Sequence, residues 1–263
     1  MKTLKLGVKH NDVIYLHVKL KNLGYQVDIY SDLFTEITNS AVKKFQSIRG
    51  LSVDGIVGNK TWEELENLNK LTESDFIRCA SSLGVDVATV KAVCEVESGC
   101  SGFIGLNKPT ILFEGHIFWR ELRDAGYKPE NYTTGNEDIL YKSWNKEHYL
   151  GGLKEYDRLE KAIRIDRSCA LKSASWGLFQ IMGFNYFACG CDNVEEFVSE
   201  MKKSEGSQLD LFIEFIRRQG WGRYLRDLDW AGFASKYNGP GYKENKYDEK
   251  LERAYKKFKK ERD

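Results

Sequence analysis

The chain has 263 residues, 41% of them hydrophobic and 30% charged, with only three prolines. That composition excludes disordered and fibrous proteins and leaves room for two ordinary domains or one large one. A net charge of +1 supplies no basic field to draw nucleic acid, and no apolar run approaches the roughly 18 residues of a membrane span.

Lys2 and Lys5 precede an apolar run no longer than Val13 to Leu16, so no secretory signal core is expected. Residues 11–24, NDVIYLHVKLKNLG, put Val13, Leu16, Leu20 and Leu23 on one helical face and stop at Gly24. Residues 35–49 repeat the design with Ile37, Ala41 and Phe45 in line, and Gly50 ends it. An Asp54-Gly55 turn follows, then a short helix through Trp62 and Leu65 for which Thr61 is the expected N-cap. The polar stretch NLNKLTESD reads as a short linker, which divides the chain into domains at 1–69 and 70–263.

Beyond it the pattern is mostly helical. Thr72 with Asp75 opens a helix carrying Phe76, Ile77 and Ala80, and Asp86 caps VATVKAVCEVE. Leu159, Ile163 and Ala170 mark one long helix through 155–171. Asn193 with Glu196 and Ser207 with Asp210 are expected caps, with Gly220 closing the second helix. The last helix, about 246–260, shows Leu251, Ala254, Tyr255 and Phe258. Between helices, SASWGLFQIMGFNY reads as a buried hairpin or an extended wall. KKFKKER at 256–262 reads as a solvated helix end.

The first 65 residues resemble the peptidoglycan-binding domain of many cell-wall hydrolases. The resemblance is carried by LGVKHNDVIYLHVKLKNLGY and AVKKFQSIRGLSVDGIVGNKTWEEL. Where that family usually has Gln in the first helix, this chain has His17.

The helix from Asp86 ends oddly. Val90, Val93 and Cys94 form its apolar stripe, and Glu97 falls on the same stripe, seven residues after Val90 and four after Val93. Glu95 lies about 200° away, toward solvent. Gly99 is expected to end the helix, so Glu97 sits where the partial negative charge of the C-terminus disfavours an ionised carboxylate. Burial acts the same way. A carboxylic acid that keeps its proton near neutrality suits protonation of a glycosidic oxygen. The small residues Ser98, Gly99 and Gly102 allow a bulky substrate close approach. The residues alone fit equally a glutamate held by a backbone amide or an arginine.

The second domain is similar to the phage-type N-acetylmuramidases of the lysozyme-like superfamily. VCEVESGCSGF, KPTILFEGHIFWREL, RLEKAIRIDRSCALKSASWGLFQIMGFNY and SKYNGPGY carry that resemblance, in the family's order. It implies a mainly α protein: a small three-helix wall-binding domain, then a larger lysozyme-like helical catalytic domain with a short hairpin. It also implies cleavage of the β-1,4 bond between N-acetylmuramic acid and N-acetylglucosamine, with Glu97 as the catalytic acid. Glu114 is either a second carboxylate or a buried residue that holds its motif together. Ser98, Gln180, Tyr237 and Asn238 are expected to line the substrate cleft. The family tends to have a larger basic residue where this chain has Gly115.

Two other functional readings remain open in the sequence: a lytic transglycosylase forming anhydro-muramic ends, and a non-enzymatic wall-binding tail component. A Cys/His peptidase built on His116 with Cys94 or Cys100 finds no further support, because a helix-buried Cys94 is a poor nucleophile. The six cysteines, Cys79, Cys94, Cys100, Cys169, Cys189 and Cys191, are expected to be reduced thiols in a cytoplasmic chain. No metal or cofactor is expected. The expected partner is bacterial peptidoglycan, with neither nucleic acid nor stable membrane insertion, and the protein is expected to be a monomer. It is expected in the host cytoplasm until lysis and then at the periplasmic wall, which needs a holin for release.

Overall fold

Thr35 shows how the first 70 residues are built. Its hydroxyl accepts from Thr38 N and so caps helix α2 (Glu36–Ile48), which follows α1 (Asn11–Asn22) and precedes α3 (Asn59–Asn67). These helices enclose a core of Val13, Leu16, Leu20, Phe34, Ala41, Val42, Phe45, Trp62 and Leu65. Three expectations fail here. Leu23 and Ile37 are 40% and 65% exposed; Thr38 and Val42 take the inward places, one residue round the helix from Ile37. Thr61 is not a cap, for Gly58 starts α3 and Thr61 is buried inside it. There its hydroxyl accepts from Gln46 Nε2 at 3.2 Å.

Gln46 also bonds Asp54 Oδ1, the Ile56 carbonyl and the Gly55 amide, all at 2.9–3.0 Å, and so fixes the Asp54-Gly55 turn. His17 does the same one repeat earlier, joining the Ser31 carbonyl through Nδ1 (3.1 Å) and Thr38 Oγ1 through Nε2 (2.7 Å). A carbonyl can only accept, so Nδ1 donates and Nε2 accepts from the threonine. Burial holds His17 below the usual histidine range, in keeping with a neutral ring.

In this computed structural model, residues 1–98, 101–104 and 108–261 are described. They fall into two units, Met1–Lys70 and Leu71–Asp263. The second begins with α4 (Glu73–Leu83) and α5 (Val87–Glu97), capped by Thr72 and Asp86. Ile77 is 52% exposed, leaving Cys79, Ala80 and Leu83 as the buried face of α4. Strand β1 (Ile111–Phe113), α6 (Gly115–Asp124), α7 (Lys154–Ile163) and α8 (Arg167–Lys172) follow. The single helix expected over 155–171 is thus two helices. Asp166 breaks it, leaving the helical conformation to accept from Cys169 N at 2.8 Å and cap α8.

The hairpin β2 (Ala174–Trp176) and β3 (Ile181–Met182) forms within SASWGLFQIMGFNY. β1 joins it in an antiparallel sheet of order β1-β2-β3, with Ile111 opposite Trp176 and Trp176 opposite Ile181. Helices α9 (Val194–Met201), α10 (Glu205–Arg218), α11 (Gly222–Arg226), α12 (Trp230–Tyr237) and α13 (Tyr247–Lys260) complete the unit. Asn193 caps α9 as expected, but α10 starts earlier than its sequence signal: Ser204, not Ser207, is the cap. Cys79, Cys94, Cys169, Cys189 and Cys191 are free and buried, while Cys100 and Gly99 lie outside the described residues.

Candidate active site

Val90, Val93 and Cys94 are 1%, 1% and 5% exposed, so the α5 stripe faces the core and carries Glu97 inward. Glu95 points out and pairs with Lys257 Nζ at 2.6 Å. Ser98 closes the helix through its backbone, its N–H donating to the Cys94 carbonyl at 2.9 Å. Glu97 Oε2 accepts from Asn238 Nδ2 at 3.1 Å. Among the described residues, buried Oε1 has no hydrogen-bond partner, and neither does Asn238 Oδ1. Burial pushes the Glu97 carboxyl up to about 7, against the opposing pull of the Asn238 hydrogen bond and the Lys250 charge.

Asn238 is placed by its neighbour. It caps α12 through its N–H to the Ala234 carbonyl (2.8 Å). Tyr237 stacks on Phe233 (5.9 Å, 4°) and meets Phe212 and Trp221 edge-on at 5.4 and 6.4 Å. Phe212 in turn stacks on Phe179 of the hairpin at 4.1 Å. A column of rings therefore ties the GLFQI segment to the YNG segment. Burial, with the Glu97 charge second, raises the Tyr237 phenol well above the usual range.

Gln180 adopts φ 48°. Its Oε1 accepts from Ser175 Oγ (2.7 Å), and its Nε2 donates to the carbonyls of Gly177 (2.8 Å) and Thr110 (3.2 Å). The amide thus braces the hairpin against the segment that enters β1. Two residues with no sequence signal complete the frame. Glu205 Oε1 accepts from Gly102 N, and Gln208 donates to the Gly102 carbonyl, both at 3.1 Å. Gln208 Oε1 also accepts from Leu178 N at 2.8 Å. Both glycines make room for it: a Cβ at Gly102 or Gly177 would come within 2.4 or 2.8 Å of the Gln208 amide.

Glu114 follows β1, held by its N–H to the Ser173 carbonyl at 2.9 Å. Its carboxylate accepts from Tyr149 OH at 2.7 Å and lies 3.3 Å from His116 Nδ1, which is not aligned to bond it. Behind it, Glu155 and Arg158 form a fully buried pair at 2.8 Å. Glu155 accepts from the amides of Phe113, Leu150 and Gly151. Arg158 donates to the carbonyls of Phe113 and Asp138. Gly115 leaves no space for the larger basic residue expected there from the resemblance, because Tyr141 and the Ile139 carbonyl would meet a Cβ at 2.4 and 2.7 Å. The structure thus gathers Glu97, Tyr237 and Asn238 around one buried carboxyl. Gln180 lies in the turn between β2 and β3, and Glu114 directly follows β1.

The family model for N-acetylmuramidase matches residues 86–259, and that for the peptidoglycan binding domain matches residues 9–65. The chain is also similar to a solved structure, the crystal structure of Burkholderia AP3 phage endolysin. The two are 41% identical over 98% of this chain and 100% of that one, with a TM-score of 0.69.

Proposed function

The chain belongs to the N-acetylmuramidase family, and from that premise we propose that Glu97 is the acid with which it cuts peptidoglycan. It is a glycoside hydrolase of lysozyme type with a peptidoglycan-binding unit before it, a peptidoglycan-hydrolysing endolysin. One observation carries the residue assignment. Glu97 Oε1 is buried and has no partner among the described residues, on a carboxyl raised to about 7. A buried polar atom without a partner is costly, and a substrate oxygen at that point removes the cost.

The neutral carboxyl gives its proton to the bridging oxygen as the bond from C1 of the muramic acid breaks. The N-acetylglucosamine leaves with its 4-hydroxyl intact. Water then adds at C1, and its proton returns to Glu97. Asn238 holds Oε2 so that Oε1 faces the sugar, and Tyr237 fixes Asn238. Ser98 lies next to the acid and, with Gln180, borders the cleft. Glu114 serves as an anchor within the sheet, since its carboxylate is already engaged by Tyr149.

Glu97→Gln tests the assignment in a turbidity assay on outer-membrane-stripped cells. Lysis should fall by about 100-fold or more, while Glu95→Gln stays near wild type. Activity of the Glu97 variant within tenfold of wild type sinks the assignment. Mass spectrometry of the digest should show reducing muramic ends.

The protein is proposed to act as a monomer. It is also proposed to wait in the host cytoplasm, where its buried thiols suit a reducing medium, and to reach the periplasmic wall with a holin.

A further inference from the structure

Glu114 has no part in the proton transfer, yet two side chains lead from it to the surface. We propose that Glu114, Tyr149 and Trp144 form a platform that grips the glycan chain beyond the bond being cut. The inference rests on the muramidase reading and extends it to a second place on the substrate.

Trp144 is 60% exposed, and its indole Nε1 donates to Tyr149 OH at 2.8 Å. The phenol in turn donates to Glu114 Oε2 at 2.7 Å. Every group in the relay has a compatible role: indole donates only, phenol does both, carboxylate accepts. Burial and the Glu114 bond hold the Tyr149 proton in place. The result is a large ring kept at the surface by bonds from the interior. A core residue does not need this, and an idle surface tryptophan would not be fixed by it. With its N–H used, the indole offers solvent only an apolar face. A pyranose ring carries a face of C–H groups that stacks on such a surface.

The segment that carries the platform approaches the chain beyond the proposed acid at one described point. A Cβ at Gly152 would sit 3.7 Å from Ile104 Cδ1, and Ile104 is seven residues past Glu97. The Gly152 end of the segment that carries Trp144 and Tyr149 therefore lies close to Ile104. A single fixed ring with its polar edge engaged fits a sugar better than a broad protein partner.

Binding is measured separately from cutting. Full-length Glu97→Gln protein is titrated with peptide-free N-acetylglucosamine–N-acetylmuramic acid oligomers from two to eight sugars. Affinity should rise with length, and adding Trp144→Ala should abolish the rise, weakening the longest oligomer by about fivefold to tenfold. Adding Tyr149→Phe, which keeps the ring but cuts the relay, should weaken it severalfold, and Trp144→Phe should restore part of the loss. The first unit is present throughout, so its contribution cancels. In otherwise wild-type enzyme, Trp144→Ala should raise KM more than it lowers kcat, with an unchanged melting temperature. Equal affinity of Trp144→Ala for the longest oligomer overturns the proposal. So does Trp144-dependent self-association without an effect on glycan. If Glu97→Gln remains lytic, the catalytic assignment fails while these binding results still decide the platform.

Discussion

Glu97 couples function to stability. Its carboxyl is raised from the ordinary 4.5 to about 7 by burial, so the unfolded chain gives up its proton first as pH rises. Stability therefore falls between those values. Above pH 7 the buried charge costs on the order of 3 kcal/mol. Glu97→Gln should be more stable than wild type at pH 8 by up to about that amount and nearly equal at pH 4; urea unfolding at the two pH values reads the difference. Loss of lytic activity as pH rises through about 7 is the kinetic counterpart. Asn238→Ala removes a hydrogen bond that holds the carboxyl down, so this limb should move to higher pH while the maximal rate falls roughly tenfold. A limb that moves down refutes the pairing. The inward position of Glu97 could be read from the sequence because its signal is local, a 3.6-residue stripe interrupted by an acid; its role as the acid came only through resemblance. That Asn238 would meet it was legible only through resemblance. Gln208, 106 residues from its Gly102 partner, looks like any polar residue on a helix, and nothing in the sequence marks it.

At the scale of elements, the caps divide along the same line. Thr72, Asp86 and Asn193 bond backbone only three residues away, so their patterns are visible in sequence. Thr61 has a capping residue's chemistry but spends it on Gln46, a tertiary contact that no local rule contains. Ser204 displaces Ser207 as the cap because it offers the same hydroxyl one turn earlier. The three-residue strand β1 is too short for any periodicity. It exists because the hairpin offers it an edge and Glu155 takes its Phe113 amide. Gly115 shows how tightly this region is filled. Gly115→Ala should cost roughly 1–3 kcal/mol through the clash with Tyr141 and the Ile139 carbonyl. A thermal shift indistinguishable from zero would show that Tyr141 can give way.

At the scale of the molecule, two cores with no shared residues make each unit a candidate for independent folding. Residues 1–70 alone should pellet with wall sacculi without cutting them. Residues 71–263 should still cut, more slowly at low wall concentration, because the wall-binding unit raises effective substrate concentration without altering the chemistry. A first unit that stays in the supernatant contradicts this division. Within the second unit, one side chain takes three backbone amides from two separate segments. Glu155 receives the amides of Phe113, Leu150 and Gly151 while paired with Arg158. Opening any of these amides takes a hydrogen bond from a buried carboxylate. In hydrogen exchange, Leu150 and Gly151, though in a connecting loop, should therefore exchange as slowly as Phe113 in the sheet. The loop that carries Trp144 thus has its far end tied to the buried Glu155–Arg158 pair.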